Sequence, residues 1–251
     1  MGLPDGRIVW AIGMRNVVEL IDRYFYQSYT DNWDDLLFRE RILRHLSLDS
    51  VVLDLGAGSG LVSQMRFRGM CRHVCGLDPV QDVLTNQHLD CAKVGGGEEI
   101  PWADNTFDMV FADNVLEHLK EPERVFAEVR RVLRSGGVFL AKTPNRFHYV
   151  PLIAQLTPHS FHRLVNKLRG RNAADTFPTL YRANSKNKLL KLAKESNLDV
   201  INIERIEGRP EYMRSLPLYP FGLAWERAVN RFAFMGAFRV IMIAHFCKSE
   251  R

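Results

Sequence analysis

Val51-Val52-Leu53-Asp54-Leu55-Gly56-Ala57-Gly58-Ser59-Gly60 is the stretch on which the fold turns. Five residues rich in β-branched and aliphatic side chains predict a buried parallel strand, and three glycines at alternate positions predict a tight turn directly after it. Without Cβ atoms, Gly56, Gly58 and Gly60 can take positive φ, let backbone approach a ligand and turn amide N–H groups inward. A helix is expected over Leu61–Gly69, its positive end favouring a carboxylate or phosphate. Asp54 closes the strand, where its carboxylate can accept from an ammonium or order the glycine amides. A diphosphate would find that acid unhelpful.

The dinucleotide fingerprint requires G-x-G-x-x-G. Here the third glycine comes one residue early, and Leu61 stands where the last one belongs. Asp54-Leu55-Gly56-Ala57-Gly58-Ser59-Gly60 resembles instead the first motif of class I S-adenosylmethionine-dependent methyltransferases, in which the turn, here Gly56, Ala57, Gly58 and Gly60, cradles the methionyl carboxylate end of the cofactor. The resemblance implies S-adenosyl-L-methionine as cofactor. It also implies an α/β fold, a doubly wound, mostly parallel seven-stranded Rossmann-like sheet with a C-terminal antiparallel hairpin and helical insertions. The residues agree, since strand, helix and strand patterns alternate from Val51 to Lys142.

Val74-Cys75-Gly76-Leu77-Asp78 reads as the next strand. Asp78 lies about twenty residues beyond the glycines, the spacing at which a carboxylate reaches ribose hydroxyls, and Pro79 fixes the exit of the chain. Lys93 to Trp102 resembles the family's adenine-binding loop, with one departure. The family commonly carries an aspartate where this chain has Gly96, so the adenine amino group falls either to Glu98 or to backbone carbonyls. Thr106 to Ala112 forms a strand, and Asp113-Asn114-Val115-Leu116-Glu117-His118 resembles the family's segment where cofactor and acceptor meet. That resemblance makes Asp113, Asn114 and Val115 cofactor contacts, with Glu117 structural. The N-P-P-Y-like tetrapeptide of enzymes that methylate nucleic-acid bases is absent. The extra acid that completes a metal site in some quinone O-methyltransferases is replaced by Asn114, so no metal is expected.

Pro122 opens the clearest amphipathic helix, with Val125, Phe126, Val129, Val132 and Leu133 on one face and Gly136-Gly137 at its end. Thr143 to Tyr149 then leaves the carboxyl end of a strand, where ligands of open α/β sheets bind. Asn145 and Tyr149 are candidate acceptor contacts. His148 is the first candidate for a general base and His118 the second, because imidazole titrates near neutrality. Helices are also expected over Met14–Leu46, from Thr157, over Asn184–Asn197 and over Phe221–Phe232, and strands over Leu198–Ile206 and Ala237–Cys247. Tyr29 is a candidate cofactor-side hydroxyl.

At 251 residues and 46% hydrophobic, the chain can bury one full core. We read a single domain over 1–251, made of a helical lid (1–50), a cofactor-binding core (51–145), a basic helical insertion (146–183), a C-terminal core (184–207 and 237–249) and a second insertion (208–236). The net charge is only +5, yet Arg146 to Lys194 holds ten cations against Asp175 alone. This concentration points to an anionic acceptor, with Arg163, Lys167 and Arg169 on one face of a helix, or to peripheral contact with a membrane surface. Four cysteines without a C-x-x-C pair suggest reduced, mostly buried thiols, with neither zinc nor disulfides. No signal segment is visible, and Phe232 to Phe246 is too short to span a bilayer, which predicts a cytoplasmic protein.

The reading is methyl transfer to an oxygen or nitrogen of a small or lipid-linked anionic acceptor, such as an envelope glycan or a quinone-type metabolite. A non-catalytic protein that binds S-adenosylmethionine and a nicotinamide-dependent oxidoreductase are the alternatives. Nucleic acid is not an expected partner, since no RNA-binding module is appended. Oligomeric state is open.

Overall fold

The computed structural model describes residues 17–26, 32–156, 178–210 and 218–249. Seven strands form one sheet, β1 (Val51–Leu55), β2 (His73–Asp78), β3 (Cys91–Val94), β4 (Phe107–Asp113), β5 (Leu133–Pro144), β6 (Asp199–Ile206) and β7 (Ile241–Cys247), in the order β3-β2-β1-β4-β5-β7-β6. The first five run parallel to their neighbours, while β7 is antiparallel to both β5 and β6. The expected sheet and hairpin are therefore both present. The order reverses between β1 and β4, which opens a crevice at their carboxyl ends.

Side chains alternate across the strands and divide the core in two. Leu53, Leu77, Val110, Ala112 and Phe139 face one side, where α3 (Pro122–Val132) contributes Val125, Phe126 and Val129 and α5 (Lys186–Glu195) contributes Leu189 and Leu192. Val52, Val74, Met109, Phe111 and Leu140 face the other, covered by Phe38 and Ile42 of α2 (Trp33–Leu43). Both of these α2 side chains are fully buried, which contributes about 1.5–3 kcal/mol each. Residues 17–25 form α1, Tyr149–Leu156 form α4 and Tyr219–Arg231 form α6.

Several local expectations are corrected. No α-helix follows the glycine turn, and only a 3₁₀ turn forms at Ser63–Met65. The carbonyls that a helix would pair are taken by arginines. Arg66 donates to Gly60 O at 2.9 and 3.2 Å, and Arg39 Nη1 donates to Gln64 O and Arg66 O at 2.5 and 3.0 Å. Phe67 meanwhile leaves the helical path to pack edge-on against Phe111. The helix expected over Met14–Leu46 is divided, its described parts being α1 and α2. Gly136 ends no helix, for α3 stops at Val132 and β5 already contains Gly136 at φ 75°. The last strand starts at Ile241, after a 3₁₀ segment over Ala233–Phe238.

The thiol reading also fails. Cys75 of β2 and Cys91 of β3 are register partners with Cα atoms 4.6 Å apart and are joined by a disulfide, while Cys71 and Cys247 are free. Sixteen residues separate the pair, and only the parallel register of β2 with the edge strand β3 reveals them as neighbours. Among the described residues no helix is long and apolar enough to cross a membrane, and no cluster of His, Cys, Asp and Glu could hold a metal ion.

Candidate active site

The five parallel strands bring their carboxyl ends to one edge, and there the predicted residues meet. Gly56, Gly58 and Gly60 adopt φ of 85°, 48° and 78°, the left-handed region that the turn required. A Cβ on Gly56 would lie 2.3 Å from Val115 Cγ2, so the first glycine admits no larger residue, whereas a Cβ on Gly58 would meet nothing within 4 Å. The turn is tight below and open above.

Its amides are used differently from the expectation. Gly56 and Ala57 donate to Leu77 O at 2.7 and 3.3 Å, and Gly58 donates to Asp78 Oδ2 at 3.0 Å. Three of the five turn amides thus tie β1 to the end of β2, and those of Ser59 and Gly60 have no partner within the described residues. Asp78 is 8% exposed, and its second oxygen accepts from Val80 N at 2.8 Å. Asn86, which the sequence reading missed, braces the turn from behind by donating to Ala57 O and Gly58 O at 3.3 and 3.2 Å.

In the loop after β3 the side chain of Glu98 lies beside Gly96. A Cβ there would sit 2.6 Å from Glu98 Oε2, so the Glu98 carboxylate occupies the space beside residue 96. The loop is anchored by α3, since Glu128 accepts from Ile100 N at 2.8 Å and Arg131 donates to Ile100 O and Trp102 O, each at 2.8 Å.

Beneath the crevice, charge is concentrated on the face that α2 covers. Strand alternation places Asp54 and Asp113 there together with Lys142, the register partner of Asp113. The Lys142 side chain is fully buried. Its Nζ lies 2.9 Å from Asp34 Oδ2 and 3.0 Å from Asp113 Oδ1, and also donates to Asp35. These carboxylates hold the lysine above its ordinary value against the opposing effect of burial. Burial pushes Asp113 up to about 6 despite Lys142, and burial next to Asp113 and Asp78 raises Asp54 well above the carboxylate range. The result is a buried cluster of carboxyls, partly neutralised by Lys142 and by burial, that a neighbouring cation would draw back toward the charged form.

On the acceptor side Asn114 carries φ 54°, and its amide donates to Lys142 O at 2.9 Å. His118 Nδ1 is 3.2 Å from Pro178 O. Glu117 is 5% exposed and accepts from Thr143 Oγ1 at 3.0 Å, and burial raises its carboxyl to about 7. Asn145 does not face an acceptor, because its amide donates to Ala237 O and Arg239 O at 2.8 Å each and its oxygen accepts from Phe147 N. It joins the end of β5 to the chain before β7. His148 is 1% exposed, lies on Tyr149 with ring centroids 4.1 Å apart, and is held by burial at about 3. An imidazole so shifted is a weak base in this state. Tyr149 is partly exposed and also meets Trp225 of α6 at 5.3 Å. Tyr29, Arg163, Lys167 and Arg169, with the helix expected from Thr157, lie outside the described residues.

Glu207, 3.8 Å from His148 Nε2, is raised by burial to about 8. Glu207 and Glu117 therefore stay protonated in the native state at pH values where the unfolded chain has ionised them. Their stabilisation is full below about pH 4.5 and is lost as pH rises to 7–8. The depressed His148 acts in the opposite sense, its contribution being present above 6.5 and lost toward 3. Between pH 6.5 and 8 only the acids remain, so stability should fall by up to about 1.4 kcal/mol per pH unit for each titrating group. Urea midpoints measured across that window check this, and Glu207→Gln should reduce the slope above pH 7, leaving the part that buried Asp54 contributes.

Comparison with known proteins agrees with this geometry. Residues 53–141 match the family model described as a methyltransferase domain. A Mycolicibacterium smegmatis protein named "Probable S-adenosylmethionine-dependent methyltransferase" is 30% identical over 158 residues, covering 60% of this chain and 59% of that one. The matched region, residues 53–141, is thus similar to S-adenosylmethionine-dependent methyltransferases. Two solved structures share its fold. One, a SAM-dependent methyltransferase from Methanosarcina mazei, has a TM-score of 0.55 at 16% identity over 84% of this chain and 98% of its own. The other, the cyclase SpnF, has a TM-score of 0.55 at 18% identity over 86% and 80%. The chain spans 59% of the length of its M. smegmatis relative, and the family model covers residues 53–141 alone.

Proposed function

We propose that this protein transfers a methyl group from S-adenosylmethionine to an oxygen or nitrogen of a small or lipid-linked anionic acceptor. The observation that carries the reading is the junction of the glycine turn with Asp78, directly above the acidic floor of Asp54 and Asp113. Asp78 would hold the ribose diol, Glu98 the adenine amino group, and the Ser59 and Gly60 amides the methionyl carboxylate. Gly56 and Val115 set the depth of the pocket, and Pro79 and Asn114 form its rim.

The sulfonium activates its own methyl group. What remains for the chain is to align the acceptor and to exclude water, a contribution on the order of 7–11 kcal/mol when reactants are well oriented. The acidic floor favours the cationic cofactor over its neutral thioether product. If the acceptor carries a proton, His118 is better placed than the buried His148 to remove it.

A sheet of this kind does not by itself specify methyl transfer, because the cyclase SpnF shares it. Two measurements test the proposal. Calorimetry with S-adenosylhomocysteine should show binding, and labelled methyl groups should enter an acidic fraction of small metabolites, lipids or glycans. Binding with no transfer to any fraction would favour the non-catalytic reading. Tighter binding of NAD would favour the oxidoreductase. Glu98→Gln is expected to weaken S-adenosylhomocysteine binding about tenfold, equal to about 1.4 kcal/mol. The double replacement Glu98→Ala with Gly96→Asp should recover most of it by restoring an acceptor from the other side of the same space.

A further inference from the structure

A second cavity, of ≈ 380 Å³, opens at the same edge of the sheet and is lined by Lys120, Pro122, Glu123, Arg146, Arg182 and Lys188. Its volume is in the range of small-ligand sites. The cations come from three separate parts of the chain. Lys120 lies in the loop between β4 and α3, Arg146 follows β5, and Arg182 and Lys188 flank the start of α5. Specific bonds hold these parts together, Arg182 Nη1 donating to Lys120 O at 2.7 Å and Arg146 N to Asn184 O at 2.9 Å.

Four cations face one carboxylate here, a local charge of +3, although Lys188 Nζ lies 2.5 Å from Glu123 Oε1. Like charges gathered from distant segments repel, and a bound anion offsets that repulsion. Two of the four are guanidiniums, whose paired donors match the oxygens of a phosphoryl group. Arg182 spends a single N–H on Lys120 O, which orients the guanidinium and leaves its remaining donors for a ligand. The eleven-residue α3 adds its positive end, since Pro122 and Glu123 form its first turn.

We propose that this cavity binds the phosphoryl group, as a phosphate monoester or diphosphate, of the methyl acceptor. The assignment to an acceptor rests on the methyltransferase reading, whereas the anion site stands on its own geometry. Lys120 is six residues from Asn114, so their Cα atoms are within about 20 Å. An acceptor that reaches from this cavity to the rim of the cofactor pocket would hold its phosphoryl group here while its reacting atom meets the cofactor.

Calorimetric titration of the full chain with inorganic pyrophosphate at low salt tests the site. The double variant Arg146→Gln, Arg182→Gln should bind it at least about tenfold more weakly, while Glu123→Gln, which removes the one acid, should bind it about threefold more tightly. S-adenosylhomocysteine affinity should stay unchanged in both, which also reports that they fold. No heat from the unaltered protein, or equal affinities in all three, overturns the site. Sedimentation with vesicles of phosphatidylcholine, with and without phosphatidic acid, identifies the source. Sedimentation that depends on phosphatidic acid and is lost in the double variant supports a lipid-borne phosphoryl group. Pyrophosphate binding without sedimentation supports a soluble phosphorylated acceptor. Pyrophosphate binding in a protein that ignores S-adenosylhomocysteine overturns the acceptor assignment and retains the anion site.

Discussion

Replacing Lys142 by methionine, which keeps the length of the side chain, is expected to destabilise the protein by about 3 kcal/mol or more, lowering the melting temperature by roughly 6–12 °C at neutral pH. The lysine is fully buried and lies between Asp34 and Asp35 of α2 and Asp113 of β4. Removing it leaves three carboxylates crowded together with no counter-charge, and those acids must then protonate or separate. The deficit therefore has a pH signature. Without Lys142 the carboxylates titrate above their unfolded values, so the loss should be largest near pH 8 and shrink toward pH 5, where they become neutral. Adding Asp34→Asn and Asp35→Asn should recover part of the stability. Amide exchange over residues 33–43 should accelerate in the single variant, because Lys142 fastens the first residues of α2 to the sheet. A loss of equal size at pH 5 and pH 8 would mean that packing, rather than charge, is what the lysine supplies.

Asp78→Ala is expected to reduce affinity for S-adenosylhomocysteine by at least about 100-fold, or about 2.7 kcal/mol, with a smaller loss of stability. Two effects act together. The carboxylate would accept from the ribose diol, and it already accepts from Gly58 and Val80, so its removal also loosens the glycine turn. Asp78→Asn keeps the volume and one acceptor oxygen and should fall between the two. Calorimetry with the purified variants decides the matter. Unchanged affinity would detach the end of β2 from the nucleoside and leave the glycine turn without its companion acid.

The sheet was legible because its central strands are short apolar runs buried on both faces and because its glycines need a backbone that other residues adopt at a cost. Asp78 was legible for a related reason. A carboxylate at the end of the second strand has a fixed place relative to the first turn. The helix expected after Gly60 was not to be had from spacing alone, since Arg39 and Arg66 take carbonyls that the helix would have used, and Arg39 comes from an element over twenty residues away. Asn145, expected to contact the acceptor, and His148, expected as a general base, do follow β5, but both are buried there. Residues before β7 and in α6 cover them, and nothing in their own segment announces that cover.

By itself the sequence determined the order of the elements, the glycine turn and the acids that follow the strands, because these depend on backbone conformation and on periodicity within a few residues. Tertiary structure alone decided that Lys142 joins α2 to β4, that Cys75 and Cys91 are neighbours, that Glu98 fills the space beside Gly96, and that Lys120, Arg146, Arg182 and Lys188 share one cavity. Each of these pairs groups from different segments. Their energies depend on distance and on exclusion of water, and neither quantity exists until the segments have packed.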